Sequence, residues 1–487
     1  MTRRTGRPGL LRAGLAAVVC LSLAACSTDD PDGPDAAPSA SGSPTAVVPT
    51  DAPGELATVT YGVFGSPAEV AAYQEVVEGY NAQATTVEVE LRSWRTPVAM
   101  LRELEAGAEL PDLYQVSRNQ LAEVIEEERN VPLFSLLEDR EVSYGDNYPL
   151  DAIEAFSVGD DLQCMPYGIS PRVMYVNTDL VDFERMRQRG LPAPADGLSG
   201  WDVEQFIAAI EFATRPGRGT RGFTAAETLE GIAPYLYSGG GTLFDDDDEP
   251  TALDLSSDDN QESLATLLRI GRNPLTTLTE AQLARATPLE WFARGRLGML
   301  AGDRSITPAL RAVPDLDFDV MPMPRLGRTA TIGDVTGVCI APGRDVQRAA
   351  DFLVHLISPE GFLPVAEAGY VVPANTSVAR SDVFLQPDRE PANAGVFNAS
   401  VDVMELMPLA ADDPVLRSAV NPLIEELFDA TLLPDLEVAT AAIDSLSQPI
   451  VDPDYEPPLD APSLPEGSDP GSDSDAPVFP APTSSAP

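Results

Sequence analysis

The side chains able to do chemistry in this 487-residue chain are few in kind. There is one histidine, His355, there are four cysteines, Cys20, Cys26, Cys164 and Cys339, and every one of the 31 basic residues is arginine. A single imidazole cannot supply paired-histidine catalysis or a histidine-rich metal site. His355 stands beside Leu353, Leu356 and Ile357 and reads as a helix residue. No Gly-x-Ser-x-Gly, His-Glu-x-x-His or phosphate loop occurs. Asp245 to Glu249, DDDDE, offers oxygen ligands for calcium. It lacks the alternation and the glycine of a loop that wraps an ion, so it reads as a solvated acidic loop. No metal and no cofactor is expected. The 77 acidic residues leave a secreted glycosidase with paired carboxylates open as an alternative, although no motif isolates such a pair.

The cysteines divide by position. Residues 1–12 carry Arg3, Arg4, Arg7 and Arg12 and no acid, and residues 13–25 form an apolar run of 13. That run is too short to span a bilayer and suits the core of a signal peptide. It ends in Leu23-Ala24-Ala25-Cys26, which resembles the bacterial lipobox. Small residues before the cysteine permit cleavage, and the thiol then takes a diacylglyceryl group. The expectation is a signal peptide over 1–25, a lipid on Cys26 and attachment to the extracytoplasmic face of the cell membrane. Residues 26–55, rich in Ser, Pro, Asp and Gly, read as a disordered tether, and 450–487 as a disordered acidic tail. Cys164 and Cys339 remain, each in a strand-like run, in a compartment that permits a disulfide. They are read either as one disulfide or as two separate buried thiols.

Charge narrows the partners. The net formal charge of −46 would repel a nucleic-acid backbone, so no nucleic-acid partner is expected. The same charge favours a soluble monomer. The absence of lysine is read as codon bias in a GC-rich, actinobacterial-like genome, with a high-salt setting as the other reading.

Strands and helices alternate along the body. Residues 56–64, 86–93 and 110–116 read as strands, separated by helices at 67–81 and 97–107. Further strands are expected at 173–177, 297–300 and 318–321. Further helices are expected at 201–214, 262–271, 288–294, 346–358, 415–430 and 436–447. The order argues for a parallel sheet with helices on both faces.

Several segments, in order, resemble the extracellular solute-binding proteins of bacterial ABC importers, in particular the carbohydrate-binding group that includes maltose-binding protein. They are Gly107–Val116 (GAELPDLYQV), Pro166–Leu180 (PYGISPRVMYVNTDL), Gly200-Trp201-Asp202, Gly239-Gly240-Gly241, Trp291–Met299, Met321–Pro324 and Gly369–Ala374. The resemblance covers residues 56 to about 450. It implies an α/β periplasmic-binding-protein-like fold: two lobes joined by crossover hinge strands near 165–172 and 334–341, with a ligand cleft between them. The lobes would be 56–168 with 338–395, and 169–337 with 396–449. It implies a non-enzymatic binder that captures a carbohydrate and delivers it to ABC permease subunits. A sensor role, or another cargo such as a sugar acid, glycerol-phosphate or polyamine, stays open. If Cys164 and Cys339 flank the two crossovers side by side, a disulfide would staple the hinge region.

Carrying the family's cleft positions over gives a candidate ligand set: Trp94, Arg118, Asn119, Tyr167, Ser170, Arg172, Tyr237, Gly239, Gly240, Asp303, Arg304 and Asp334. Sugar recognition stacks ring CH groups on an aromatic face and bonds hydroxyls to Asp, Asn and Arg. Trp94 is the tryptophan expected in the cleft, whereas Trp201 and Trp291 are expected to pack. Arg118, Arg172 and Arg304 can bond hydroxyls or grip an anion bidentately. The family often has Trp where this chain has Asp303-Arg304 and Leu416-Arg417, which puts maltodextrin specificity in doubt.

Overall fold

The computed structural model describes residues 56–456 except 160, 247–248 and 433. The signal-peptide, lipobox and tether expectations, Cys26 included, lie outside the described residues, as does the tail beyond 456.

The first strand, β1 (Ala57–Phe64), pairs in parallel with both β2 (Val87–Trp94) and β3 (Leu113–Ser117). The helix Pro67–Asn81 makes the first connection. Its start is fixed by a capping box, with Ser66 accepting from the Glu69 N–H and the Glu69 side chain accepting from the Ser66 N–H. It buries Ala72, Tyr73, Val76 and Val77 at helical spacing. A short hairpin follows, β4 (Ser157–Val158) with β5 (Asp161–Leu162).

Next, β6 (Met165–Pro171) runs through Arg172 directly into β7 (Val173–Asn177), yet the two strands belong to different sheets. β7 is the middle of a three-stranded antiparallel sheet, flanked by β8 (Met299–Gly302) and β9 (Phe318–Met321). β10 (Thr331–Ile340) lies in the large sheet between β3 and β6, antiparallel to both. β11 (Val372–Pro373) extends that sheet beyond β6, and β12 (Met404–Leu406) pairs with the first residues of β10. The large sheet is therefore mixed. The parallel expectation holds for β1, β2 and β3, while β10 returns the chain antiparallel. Passage between sheets occurs at Arg172 and again over residues 322–330, ahead of the expected 334–341, which lies within the large sheet.

There are two apolar cores. The first gathers Val59, Tyr61, Val63, Val338 and Ile340 with Phe352, Leu353 and Leu356 of the helix Val346–Ile357. It also takes in Val173, Tyr175, Leu300, Phe318 and Val320 from one face of the smaller sheet. The other gathers Met174, Val176, Met299 and Met321 with Phe206, Leu236, Leu267 and Ile424 from helices. Tryptophan placement agrees with packing: Trp201 is buried and donates to the Pro322 carbonyl, 2.8 Å away, and the Trp291 indole donates to the Gln282 carbonyl. A disulfide joins Cys164 to Cys339, closing a loop 175 residues long beside the first crossover. The final helix, Leu436–Val451, continues through Pro449, two residues past the point where the sequence reads as tail. Among the described residues no helix is long and apolar enough to cross a membrane.

Candidate functional site

A cavity of about 190 Å³ opens where the chain passes between the sheets. It is lined by Arg118, Ser170, Arg172, Glu230, Asp303, Ile332, Gly333, Asp334, Met407 and Arg417.

Each polar member is held by its element. Arg118 opens a 3-10 turn after β3, closed by Gln120 accepting from the Ser117 N–H at 3.2 Å. Its Nη2 donates to the Met407 carbonyl, and its Nε lies 3.9 Å from Asp334 Oδ1. Arg172 is clamped across the crossover: its N–H donates to Ile332 O at 2.8 Å, and its carbonyl accepts from Thr331 Oγ1 at 2.6 Å. Its guanidinium reaches the Glu230 carbonyl at 3.2 Å. Asp303 accepts from the Ser305 N–H at 2.9 Å, which orients the turn after β8. Gly333 is required by close approach, because a Cβ there would stand 2.2 Å from the Met404 sulfur and 2.8 Å from Ser170 O. Glu230 and Arg417 come from facing helices, Leu229–Gly239 and Pro414–Asp429, and pair at 2.8 Å.

The lining therefore carries three guanidiniums and three carboxylates and no aromatic ring. Such a surface binds by directed hydrogen bonds rather than by ring stacking. Just outside it, Glu69 sits at the start of the helix after β1. Burial chiefly, with the charge of Asp303 adding to it and the Ser66 N–H opposing it, pushes its carboxyl up to about 7.

The structure brings together five of the residues singled out from the sequence: Arg118, Ser170, Arg172, Asp303 and Asp334. It places the others elsewhere, for identifiable reasons. Trp94 is buried at the end of β2, its indole N–H donating to Glu103 Oε2 at 2.6 Å and the Arg92 guanidinium lying over its ring. Tyr167 points into the core, stacked on Phe362 with ring centroids 4.2 Å apart. Tyr237 is buried in the second core. Gly239 and Gly240 end the helix whose first turn carries Glu230. At 1.5 Å of rise per residue the glycine turn is about 13 Å from the cavity end of that helix, and it packs on residues 327–328 instead. Asn119 is exposed in the turn beside Arg118 and does not line the cavity. Arg304 has no exposed surface at all; its guanidinium lies between the rings of Phe384 and Phe397.

Five lining residues were missed, Glu230, Ile332, Gly333, Met407 and Arg417, and so was Glu69 just outside the lining. The Thr-Leu-Glu start at 228–230, with Thr228 as N-cap and Gly240 as C-cap, was a legible helix signal. Ser66-x-x-Glu69 was a legible capping box. Arg417 was noted only as a departure from a tryptophan. Met407 carried no signal.

Comparison with known proteins now decides the family. A family model described as bacterial extracellular solute-binding protein matches residues 70–391. The chain belongs to that family. Its members bind solutes outside the cell and are not enzymes. Solved structures agree on the fold. An ABC substrate-binding protein from Listeria monocytogenes, in complex with cycloalternan, is 20% identical over 80% of this chain and 99% of that one, with a TM-score of 0.66. The GacH receptor of Streptomyces glaucescens, solved unliganded and with acarbose, is 17% identical over 82% and 100%, TM-score 0.66. The sugar-binding protein MalE from Xanthomonas citri is 16% identical over 81% and 97%, also at 0.66. At these identities the likeness establishes a maltose-binding-protein-like α/β fold. No curated protein sequence matches.

Proposed function

We propose that this family member is the carbohydrate-capturing component of an ABC importer, held at the outer face of the cell membrane by a lipid on Cys26. The cargo site is the cavity at the crossover, and closure of two lobes over the bound sugar presents it to the permease. The observation that carries the reading is the cavity's position: its lining comes from β6 and β10 of the large sheet, from Arg172 at the first passage between the sheets, from Asp303 directly after β8 of the smaller sheet and from two helices, so one ligand touches segments that belong to both sheets' surroundings. The small volume and the absence of a ring platform favour a mono- or disaccharide over a long maltodextrin.

A second reading has an observation in its favour. Arg118 Nε is buried without a hydrogen-bond partner, which suits a cargo bearing a carboxylate or phosphate.

The test is a thermal-shift and calorimetric screen of the full chain, stripped of ligand by unfolding and refolding. The panel holds neutral sugars, sugar acids, sugar phosphates and polyamines. A single neutral sugar that raises the melting temperature by about 3 °C supports the first reading. A response confined to the acidic compounds selects the second. A flat screen against every sugar and sugar derivative overturns the carbohydrate assignment.

A further inference from the structure

Two stretches of the chain carry arginine without acid. Residues 185–195 contain Arg185, Arg187 and Arg189, residues 212–223 contain Arg215, Arg218 and Arg221, and neither stretch holds an Asp or a Glu. In a chain of net formal charge −46 this is a local reversal of sign. The fold joins the two stretches. Arg185, Arg189, Arg215 and Arg218, together with Phe212, line one groove of about 420 Å³. No carboxylate lines it, and it shares no residue with the cavity at the crossover.

The backbone that presents these arginines is braced. Arg185 lies in the helix Phe183–Gln188, where its N–H donates to the capping Asp182 at 2.8 Å. Arg189 stands four positions on, over the same face, and its Cζ is 5.4 Å from the centroid of the Phe212 ring. Arg215 and Arg218 sit on a closed turn. The Arg215 N–H donates to Thr220 Oγ1 at 3.0 Å, and the Arg218 N–H donates to the Arg215 carbonyl at 2.8 Å. Gly219, at φ +71, supplies the left-handed residue that ends the turn. Arg296 donates to the Arg218 carbonyl at 2.6 Å and adds a fifth cation beside the groove.

Nearby acids are engaged elsewhere. Asp182 caps its helix, Glu184 accepts from Gln188 at 3.0 Å, and Asp196 pairs with Arg187 at 2.7 Å. Glu204 and Glu211 line the adjoining depression, and among the described residues neither is in ion-pair contact with an arginine. None of the four groove guanidiniums makes an ion pair or donates a hydrogen bond within the described residues. The crossover cavity, by contrast, sets three guanidiniums against three carboxylates. Four like charges held together repel one another, and an anion among them removes that repulsion.

The guanidinium fork matches the oxygens of carboxylates and phosphates. Four forks exceed what one carboxylate can engage. A phosphoryl group offers about three acceptor oxygens and about two charges, and so fits them better. The groove runs on into a depression that shares Arg189, Phe212 and Arg215 and adds Leu191 and Pro192, an apolar wall for the rest of an organic phosphate. We propose that Arg185, Arg189, Arg215 and Arg218 form a phosphoryl-binding site, separate from the cargo cavity. Its ligand is either a soluble phosphate compound or the phosphodiester of an anionic lipid.

The test uses the full chain at an ionic strength of about 0.15 M. Calorimetry with sodium pyrophosphate reads the soluble source. Cosedimentation with phosphatidylglycerol vesicles, against phosphatidylcholine vesicles as the blank, reads the lipid source. Arg185 and Arg218 are both exposed, so Arg185→Gln with Arg218→Gln should leave the fold intact. This pair should weaken the binding at least about tenfold. Arg95→Gln with Arg285→Gln changes the net charge equally at exposed positions away from the groove, and should weaken it less than about twofold. Binding in either arm that only the groove pair weakens supports the site, and the arm that responds names the source. Absence of binding in both arms overturns the proposal. So does binding that the groove pair leaves intact, or that the two pairs weaken alike.

Discussion

Two groups of arginines stand on either side of Asp303, and they solve the same electrostatic problem in opposite ways. In the cavity, Arg118, Arg172 and Arg417 are partly exposed and share the space with Glu230, Asp303 and Asp334. Behind it, Arg304 and Arg311 have aromatic faces, carbonyls and an amide side chain but no carboxylate contact. The first arrangement can exchange an internal partner for a ligand hydroxyl at small cost, since water screens both states. The second cannot reorganise without exposing a large buried side chain. The cavity is therefore built for reversible binding and the buried Arg304, with half-buried Arg311 beside it, for holding the scaffold, although the guanidinium is the same group in both.

The largest expected effect breaks the buried side of this contrast. Arg304→Ala removes two ring contacts and leaves a void between Phe384 and Phe397, at a cost of about 3 kcal/mol in unfolding free energy. Arg304→Met fills most of the space and removes the desolvated charge, so it should cost less than about 1 kcal/mol. Urea denaturation of the two variants separates them. Equal losses would mean that the charge itself, rather than the packed volume, holds the segment.

The cavity side is tested by Glu230→Ala. Glu230 pairs with Arg417 through its side chain and receives Arg172 at its backbone carbonyl, so truncating the side chain leaves the Arg172 hydrogen bond in place. Without the Glu230 carboxylate, Arg417 should meet the cargo with a different charge balance. The expectation is a change in cargo affinity of about tenfold, or 1.4 kcal/mol, with stability altered by less than about 1 kcal/mol. Calorimetry with the cargo identified in the screen reads the first quantity and a melt reads the second. A loss of stability without a change in affinity would place Glu230 with the scaffold group.

The same contrast explains what was legible in the sequence. Strands β1, β2 and β9 and the helices at 67–81 and 346–357 show as regular apolar patterns, and β7 as a short apolar run buried on both faces. Arg118, Arg172 and Arg304 looked equivalent, each standing in or beside a strand end expected to face a cleft. Nothing local distinguishes them: Arg304 is buried by Phe384 and Phe397, some 80 and 93 positions later in the chain. Tyr167 and Trp94 were read as cleft aromatics from family position, whereas strand alternation and the partners Phe362 and Glu103 turn them inward. The glycine turn is expected beside the ligand, whereas it closes the helix Leu229–Gly239 whose first turn carries the cavity residue Glu230. Long-range packing, rather than residue type, decided each of these.

The smallest predicted effect sharpens the contrast at its boundary. Glu69 lies outside the cavity lining but close enough to Asp303 for that charge to act on it. Burial favours its neutral form, so the folded chain keeps a proton between the ordinary value of 4.5 and about 7 that the unfolded chain has released. Its contribution to stability is full below the ordinary value and is lost as pH rises through about 7. Glu69→Gln keeps a neutral side chain able to accept from the Ser66 N–H, so the variant should match the wild type below the ordinary value, at about pH 3.5. It should exceed it by about 1 kcal/mol at pH 8, after allowance for the partial exposure of the group. Glu227, pushed up to about 7 by burial together with Asp429 and Glu425, titrates in the same direction and leaves a residual slope in both proteins. The difference between their melting curves across this range isolates Glu69. A difference that is flat with pH would show that the capping hydrogen bond keeps the carboxyl ionised, and that Asp303 faces a charge rather than a neutral acid.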